Sequence, residues 1–490
     1  MPLRLAVGIG VVLVFLGCSA VGPDYPGIRP RSPEQWRADT EGKVKQVQEM
    51  DEALLEEWWQ IFDDPVLSRL ESEAIRGNLT IKEAVARIKQ ARALLGVERA
   101  GFYPKADASG SYSRQRTSSA LGETDSFNIA IDSAWEIDIF GGTRRAVEAA
   151  VAELEAEEAG LEDALVSLTA EIALRYIELR TYENRLRVAR DNMKIQEETY
   201  ELNKSRYEAG LVDELTVQQA LYNLEQTRST IPLLQSSIEK TRNGLAVLLG
   251  KEPGEIDRIL SSEGQIPAPP VEVAVGIPAE VLRRRPDIRQ AERRVAAETA
   301  KIGVAKAELY PKLRLIGTIG LESLKAGDLF QWASRFWQIG PGVTWRIFDA
   351  GEIRQSIKAQ TAAQEQAIIQ YEATVLAALE EVENALVDFA KEQRRREALI
   401  KAVEAARRAE RLAQDRYNAG LVDFVTVLDA QRTLRSLEDE LVQSTGNVSA
   451  YLVKLYKALG GGWSPKHVES LIGENKENNS VSEKAGGHKS

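Results

Sequence analysis

Residues able to do chemistry are few in this sequence, and their spacing serves no reaction. Its only histidines, His467 and His488, both lie in the polar C-terminal stretch, which nearly excludes histidine-based metal or acid–base chemistry. The single cysteine, Cys18, rules out an internal disulfide. Aspartate and glutamate number 74, so carboxylate pairs arise by chance and carry no weight. There is no nucleophile elbow, phosphate loop or metal-ligand spacing. An enzyme is therefore not expected, and neither is a cofactor or a metal. With a net charge of −11 and no basic stripe, the chain is also a poor candidate for nucleic acid.

One residue has a defined chemical fate. Arg4 precedes an apolar run from Leu5 to Leu16, followed by Gly17-Cys18-Ser19. A short basic start and an h-region of this length read as a secretory signal, residues 1–17, too short for a transmembrane helix. The small residue before the cysteine resembles the lipobox of bacterial lipoproteins. There the thiol takes a diacylglyceryl group, and the cysteine becomes the new N-terminus. Phe15 stands where lipoboxes usually carry Leu. Ser19 in place of Asp fits export to the outer membrane.

The elements that follow are written twice. Arg206-Tyr207-Glu208-Ala209-Gly210-Leu211-Val212-Asp213 returns as Arg416-Tyr417-Asn418-Ala419-Gly420-Leu421-Val422-Asp423, a spacing of 210 residues. Tyr103-Pro104-Lys105 matches Tyr310-Pro311-Lys312, Trp135 matches Trp345, and Leu249-Gly250 matches Leu459-Gly460. The period is far longer than a solenoid unit. It is an internal duplication.

Each half contains a stretch whose hydrophobic period is two. Phe127, Ile129, Ile131, Trp135 and Ile137 fall on one face, while Asn128, Asp132, Glu136 and Asp138 fall on the other. Such alternation marks a long strand. Ala106 to Ser113 supplies its partner, giving a β-hairpin over 105–141. In the second half Leu313, Leu315, Gly317, Ile319 and Leu321 form one candidate face, and Trp337, Ile339, Pro341, Val343, Trp345 and Ile347 another, within a hairpin over 312–349. Strands near ten residues long suit a tilted bilayer crossing, and Trp suits its interfaces. Ile129, Ile131, Trp135, Ile137, Trp337 and Trp345 are the expected membrane-facing residues. A water-soluble half-buried sheet is the alternative, although no helix is evident for the apolar faces to lie against. Pro341 implies an edge, a bulge or a kink.

After each hairpin the period becomes helical. Val151, Leu165, Ile172, Leu179, Leu186 and Met193 stand at seven-residue multiples, as do Ile368, Val375, Val382, Phe389 and Val403. Heptads sustained this long mean coiled-coil packing. At about 1.5 Å per residue each helix would be roughly 95 Å long. Each stops at an Ala-Gly-Leu, where glycine fits a left-handed terminus and a chain reversal. Return helices follow, giving helical hairpins over 144–249 and 351–460. The expected organisation is a signal at 1–17, an arm with a short helix at 18–77, a first repeat at 78–250, a connector at 251–284, a second repeat at 285–460 and a disordered polar tail at 461–490.

The fold class is thus mainly α with a membrane β-barrel. Four strands cannot close a barrel, and an open edge in lipid leaves backbone groups unsatisfied at several kcal/mol each. Three chains would pool twelve strands, within the known range. The same trimer would array its helices into a hollow periplasmic α-barrel. Such an object conducts.

These residues resemble the outer membrane efflux family, the TolC-like proteins, in the NodT-type lipoprotein branch similar to OprM. The marks are Val21-Gly22-Pro23-Asp24-Tyr25 after the cysteine, Arg284-Arg285-Pro286-Asp287-Ile288 opening the second half, and the two Ala-Gly-Leu tips. The resemblance implies a lipid-anchored homotrimer in the outer membrane of a Gram-negative bacterium. It implies passive conduction of small molecules such as drugs. The partners it implies are outer membrane lipid, a periplasmic adaptor protein and an inner-membrane pump of the resistance-nodulation-division type. It places a periplasmic gate at Val425 and Asp429 with Tyr417, and at Leu215 and Thr216 in the first half. Some relatives carry a second aspartate at the position of Thr426; its absence here implies a single acidic ring. Adaptor docking falls on Ala209, Gly210 and Leu211 and on Ala419, Gly420 and Leu421. An adaptor protein would instead carry one coiled-coil hairpin flanked by small β-domains. The substrate is not legible.

Overall fold

The computed structural model describes residues 20–28, 30, 32–38, 44–47, 51–116, 123–260, 264–268 and 273–473. The expected signal peptide, the expected lipidation site Cys18 and the polar tail beyond 473 lie outside the described residues. The chain divides into two compact units. One holds residues 86–158 and 289–373 with the described residues before position 29; the other holds 30–85, 159–288 and the described residues from 374 onward.

The element order is β1 (Val44–Val47), α1 (Glu52–Glu56), a 3-10 turn (Trp58–Phe62), α2 (Pro65–Gly77), α3 (Leu79–Ala100), β2 (Lys105–Gln115), β3 (Thr124–Ile137), α4 (Gly142–Glu208) and α5 (Glu214–Leu248). After β4 (Val273–Gly276) and α6 (Pro278–Arg284), the pattern repeats as α7 (Pro286–Ala307), β5 (Lys312–Ser323), β6 (Arg335–Thr344), α8 (Glu352–Asn418) and α9 (Phe424–Ala458). Corresponding helices match in length: α3 and α7 have 22 residues, α4 and α8 have 67, α5 and α9 have 35.

In the first unit the four long strands form one antiparallel sheet in the order β2-β3-β5-β6. The register aligns Ala108 with Ile131, Ile131 with Ile319, and Ile319 with Trp337. Because side chains alternate, that row and its second neighbours share a face. It carries Ile129, Trp135, Leu315, Leu321, Ile339 and Val343. The opposite face is polar: Asp132 accepts from Thr318 at 2.8 Å and from Ser109 at 3.2 Å, and Arg314 donates to Glu136 at 3.0 Å. Pro341 lies on β6, the end strand, where a missing donor is tolerated. The expected strand through Trp345 and Ile347 ends earlier, at Thr344. The Trp345 indole turns to donate to the Leu309 carbonyl at 3.1 Å, just as Trp135 donates to Phe102 at 2.9 Å.

The N-terminal arm is clamped to this unit. Val21 donates to the Phe140 carbonyl at 3.0 Å. The nearly buried Arg145 reaches the Val21 carbonyl at 3.1 Å and Asp24 at 2.6 Å. Gly22, at φ +104°, lies so close to Gly303 that neither could carry a side chain without displacing the other segment. Tyr25 packs against Ala152, Ala296 and Ala297.

In the second unit the heptad residues Leu165, Ile172, Leu179 and Leu186 are buried, as are Val375, Val382, Phe389 and Val403. Trp58 stacks on Tyr456 with centroids 5.8 Å apart. The expectation of a disordered tail from 461 fails at its start. Residues 465–473 are helical, Ser464 Oγ accepts from His467 N at 3.3 Å, and Gly462 N donates to the Leu55 carbonyl at 2.8 Å. The cause is local: Gly461 and Gly462 let the backbone come against Trp58 and Thr169, and Ser464-Pro465 is a cap followed by a first-turn proline. The connector also holds β4, paired in parallel with β1, and α6.

Candidate functional site

The tips of the helical hairpins belong to the second unit. Both long helices end identically. Leu211 N donates to the Arg206 carbonyl at 2.8 Å and Gly210 N to Tyr207 at 2.8 Å; Leu421 N donates to Arg416 at 2.9 Å and Gly420 N to Tyr417 at 3.0 Å. This paired pattern satisfies the last carbonyls and needs a left-handed residue, which Gly210 (φ +73°) and Gly420 (φ +72°) supply. No atom lies within 4 Å of where a Cβ would stand on either glycine. Ala209 and Ala419 are exposed, and Leu211 and Leu421 are 74% and 73% exposed. Both leucines thus stand out from their turns as exposed apolar side chains.

Just beyond, the two return helices begin differently. Asp213 caps α5: its carboxylate accepts from Thr216 N at 3.0 Å and from Thr216 Oγ1 at 2.6 Å. These bonds hold the Asp213 carboxyl below its ordinary value. Thr216 is thereby occupied with a structural task, while Leu215 is exposed. Asp423, at the matching place before α9, makes no such side-chain cap. There Phe424, Val427 and Leu428 are buried with Ala220 and Ala413, and Tyr417 packs on this cluster.

Val425 and Asp429 lie one helical turn apart on α9, both exposed within the chain. The structure places a third group with them. Arg432 Nη1 stands 3.9 Å from Asp429 Oδ1, and Arg432 also meets the Tyr222 hydroxyl of α5, its guanidinium 5.1 Å from that ring centre. The expected acidic ring therefore has a cation within one turn. Sequence reasoning missed Arg432 and Tyr222, although two signals were available. Arg432 follows Asp429 by three residues, the spacing of a helix face, and stands 210 residues after Tyr222.

The other candidate surface is the sheet. Ile129 and Ile131 are 44% and 52% exposed, Trp337 and Trp345 75% and 57%. Trp135 and Ile137 are half-buried. The largely apolar face extends across all four strands, with a polar and charged face behind it, and β2 and β6 are the end strands. Among the described residues no helix is long and apolar enough to cross a membrane, and no group of His, Cys, Asp and Glu could hold a metal ion.

A duplicated chain that joins one such sheet to two long helical hairpins with exposed tips defines a class: the subunit of a membrane channel with helical extensions. The outer membrane efflux protein profile matches residues 70–251 and 277–461, and the chain belongs to that family. It is 31% identical over 466 residues to Nodulation protein T of Rhizobium leguminosarum bv. trifolii, covering 92% of this chain and 96% of the relative. It is 31% identical over 470 residues to the antibiotic efflux pump outer membrane protein ArpC of Pseudomonas putida, covering 94% and 95%. The solved outer-membrane channel OprN superposes with a TM-score of 0.83 at 36% identity, over 91% of this chain and all of that one. The protein is an outer membrane efflux channel and not an enzyme.

Proposed function

We propose that three copies of the chain pool their sheets into a twelve-stranded barrel in the outer membrane. The helical hairpins then form the periplasmic conduit, receiving small molecules from an adaptor and an inner-membrane pump of the resistance-nodulation-division type. The observation that carries this reading is the four-stranded sheet, with one apolar face, one charged face and two unpaired edges. In lipid those edges must be satisfied, and only closure with further copies does so. The charged face lines the lumen and the apolar face meets lipid.

The gate lies at Val425 and Asp429 with Tyr417 behind them and Leu215 opposite, and the adaptor docks on the two Ala-Gly-Leu turns. Cys18 carries the lipid anchor. Two acyl chains give stable attachment where one is marginal. Selectivity among cargoes belongs largely to the pump, since a conduit has no closed binding pocket to discriminate them.

Mass measurement or cross-linking in detergent tests the assembly and should give three chains. A stable monomer or dimer that retains a barrel's heat modifiability overturns it. Mass spectrometry of the mature N-terminus tests the anchor; an unacylated start beyond Cys18 removes it.

A further inference from the structure

The helices of the first unit form a layer in the same order as its strands. Arg92 of α3 donates to Glu158 of α4 at 3.0 Å, Gln290 of α7 to the Ala156 carbonyl of α4 at 3.3 Å, and Gln364 of α8 to Thr299 of α7 at 2.7 Å. The layer therefore runs α3-α4-α7-α8. Its end helices are α3 and α8, as β2 and β6 are the end strands.

The outward faces of these end helices are built alike. On α8, Gln355, Ala359, Ala362, Gln366 and Ile369 follow the 4-3 spacing of a coiled-coil seam, and all are exposed. On α3, Ala86, Gln90, Ala93 and Val97 do the same and are also exposed. Neither stripe carries a charge, although Lys358, Glu365 and Lys89 stand immediately beside them. A helix face that meets water normally carries charge.

The duplication shows what such stripes pack against. An offset of 210 residues takes α4 onto α8, and one of 207 takes α3 onto α7. The first four α8 stripe residues are then the twins of Arg145, Ala149, Ala152 and Ala156 on α4, all buried. The α3 stripe is the twin of Arg293, Ala297, Ala300 and Val304 on α7, where Ala297 and Ala300 are buried. Inside the chain these two faces meet. Ala152 shares a cluster with Ala296 and Ala297, and Arg293 pairs with Glu155 at 3.2 Å. Each face joined at the centre of the layer thus has an exposed twin at one end. Paired changes follow the same correspondence. Lys301 of α7 bonds Glu153 of α4 at 2.7 Å. Their twins are Leu94 and Ala363, so both charges vanish together.

We propose that the α8 stripe of one copy packs against the α3 stripe of the next, repeating between copies the junction that α4 and α7 make within one. The proposal rests on the trimeric reading and adds the helical seam and its register. Ala362 lies against Gln90, and Glu365 against Ala86, one turn from the opposite charge of Lys89. The occupant is a second copy of this chain, because a copy supplies the missing half of the duplicated junction.

The test uses the full chain in detergent. Ala362→Cys with Gln90→Cys should oxidise to covalent dimers and trimers, since disulfides require close approach. Thr361→Cys with Gln90→Cys should stay unlinked, because Thr361 lies off the stripe. Chains carrying one substitution alone control for Cys18. A second arm uses Ala362→Arg. The side chain is exposed in one copy, so the chain's own packing is untouched, but a charge in the seam should cause loss of the heat-resistant trimer. Full trimer stability in Ala362→Arg overturns the seam, as does equal linking of both cysteine pairs. Trimers in which Ala362→Cys with Gln90→Cys stays unlinked overturn it while leaving the assembly intact. Wild-type chains that never trimerise overturn both.

Discussion

The Tyr417 hydroxyl donates to Asn203 Oδ1 at 2.8 Å, tying the last turn of α8 to α4 beside the tips. Asn203 is fully buried. The same ring lies 5.3 Å from the Phe424 ring and 5.3 Å from the Arg206 guanidinium. One aromatic thus joins the ends of both long helices to the start of α9.

Tyr417→Phe keeps the ring and removes the bond, leaving a buried amide oxygen without a donor. Such a loss costs about 1–3 kcal/mol, concentrated where the tips are held together. The expected outcome is a channel that assembles normally but opens more often in planar-bilayer recording. Unchanged gating with a lowered melting temperature would make Tyr417 a purely structural residue.

Charge at the tip makes a second, signed prediction. If Asp429 faces the constriction, Asp429→Ala raises single-channel conductance and weakens cation preference. Arg432 sits beside it, so Arg432→Ala acts in the opposite sense on selectivity, strengthening cation preference by removing the nearest compensating charge. Both effects should shrink at high salt, because these groups are exposed and screened. Selectivity unaltered in both variants would place the gate elsewhere.

Much of this architecture was legible because periodicity survives without knowledge of contacts. Phe127 to Ile137 alternate with few exceptions, Ser133 among them, and the heptad from Leu165 to Leu186 holds a single face, so one-dimensional pattern suffices for strand, helix and the 210-residue offset. The helix at 465–473 escaped because its neighbourhood is polar, and its docking depends on Gly461 and Gly462 meeting Trp58 from far earlier in the chain. β6 ended early because Trp345 prefers the Leu309 carbonyl to a ladder position. The Arg432–Tyr222 contact joins α9 to α5; the 210-residue offset makes the two positions equivalent, but equivalence in a duplication does not by itself imply contact.

The two faces of the sheet predict unequal tolerance to charge. Ile131→Arg should cost about 2–4 kcal/mol if it meets lipid at mid-depth. Thr318→Arg, on the other face and beside Asp132, should cost far less, since its charge finds a carboxylate. Refolding yields into vesicles of fixed thickness measure the difference. Equal losses would show that the apolar face does not meet lipid.

Glu71 gives the last prediction. It lies on α2, fully buried, and neither carboxyl oxygen has a hydrogen-bond partner among the described residues. Burial pushes its pKa well above the ordinary value of 4.5, so folding disfavours the ionised form of this carboxyl. In the unfolded chain the same group ionises once the pH passes that ordinary value. Folding must then take up a proton, and stability falls as pH rises from about 4.5 toward the folded pKa. Below that window the group carries no such penalty. Glu71→Met removes the ionisable group and the unpaired oxygens, and should add about 1–3 kcal/mol at neutral pH. The gain should be smaller at pH 4.5, where the wild-type carboxyl is already half neutral in the unfolded state. Denaturation of both proteins at pH 4.5 and pH 8 decides it. A gain independent of pH would assign the effect to packing alone, and a loss at both would mean that Glu71 has a partner the folded chain depends on.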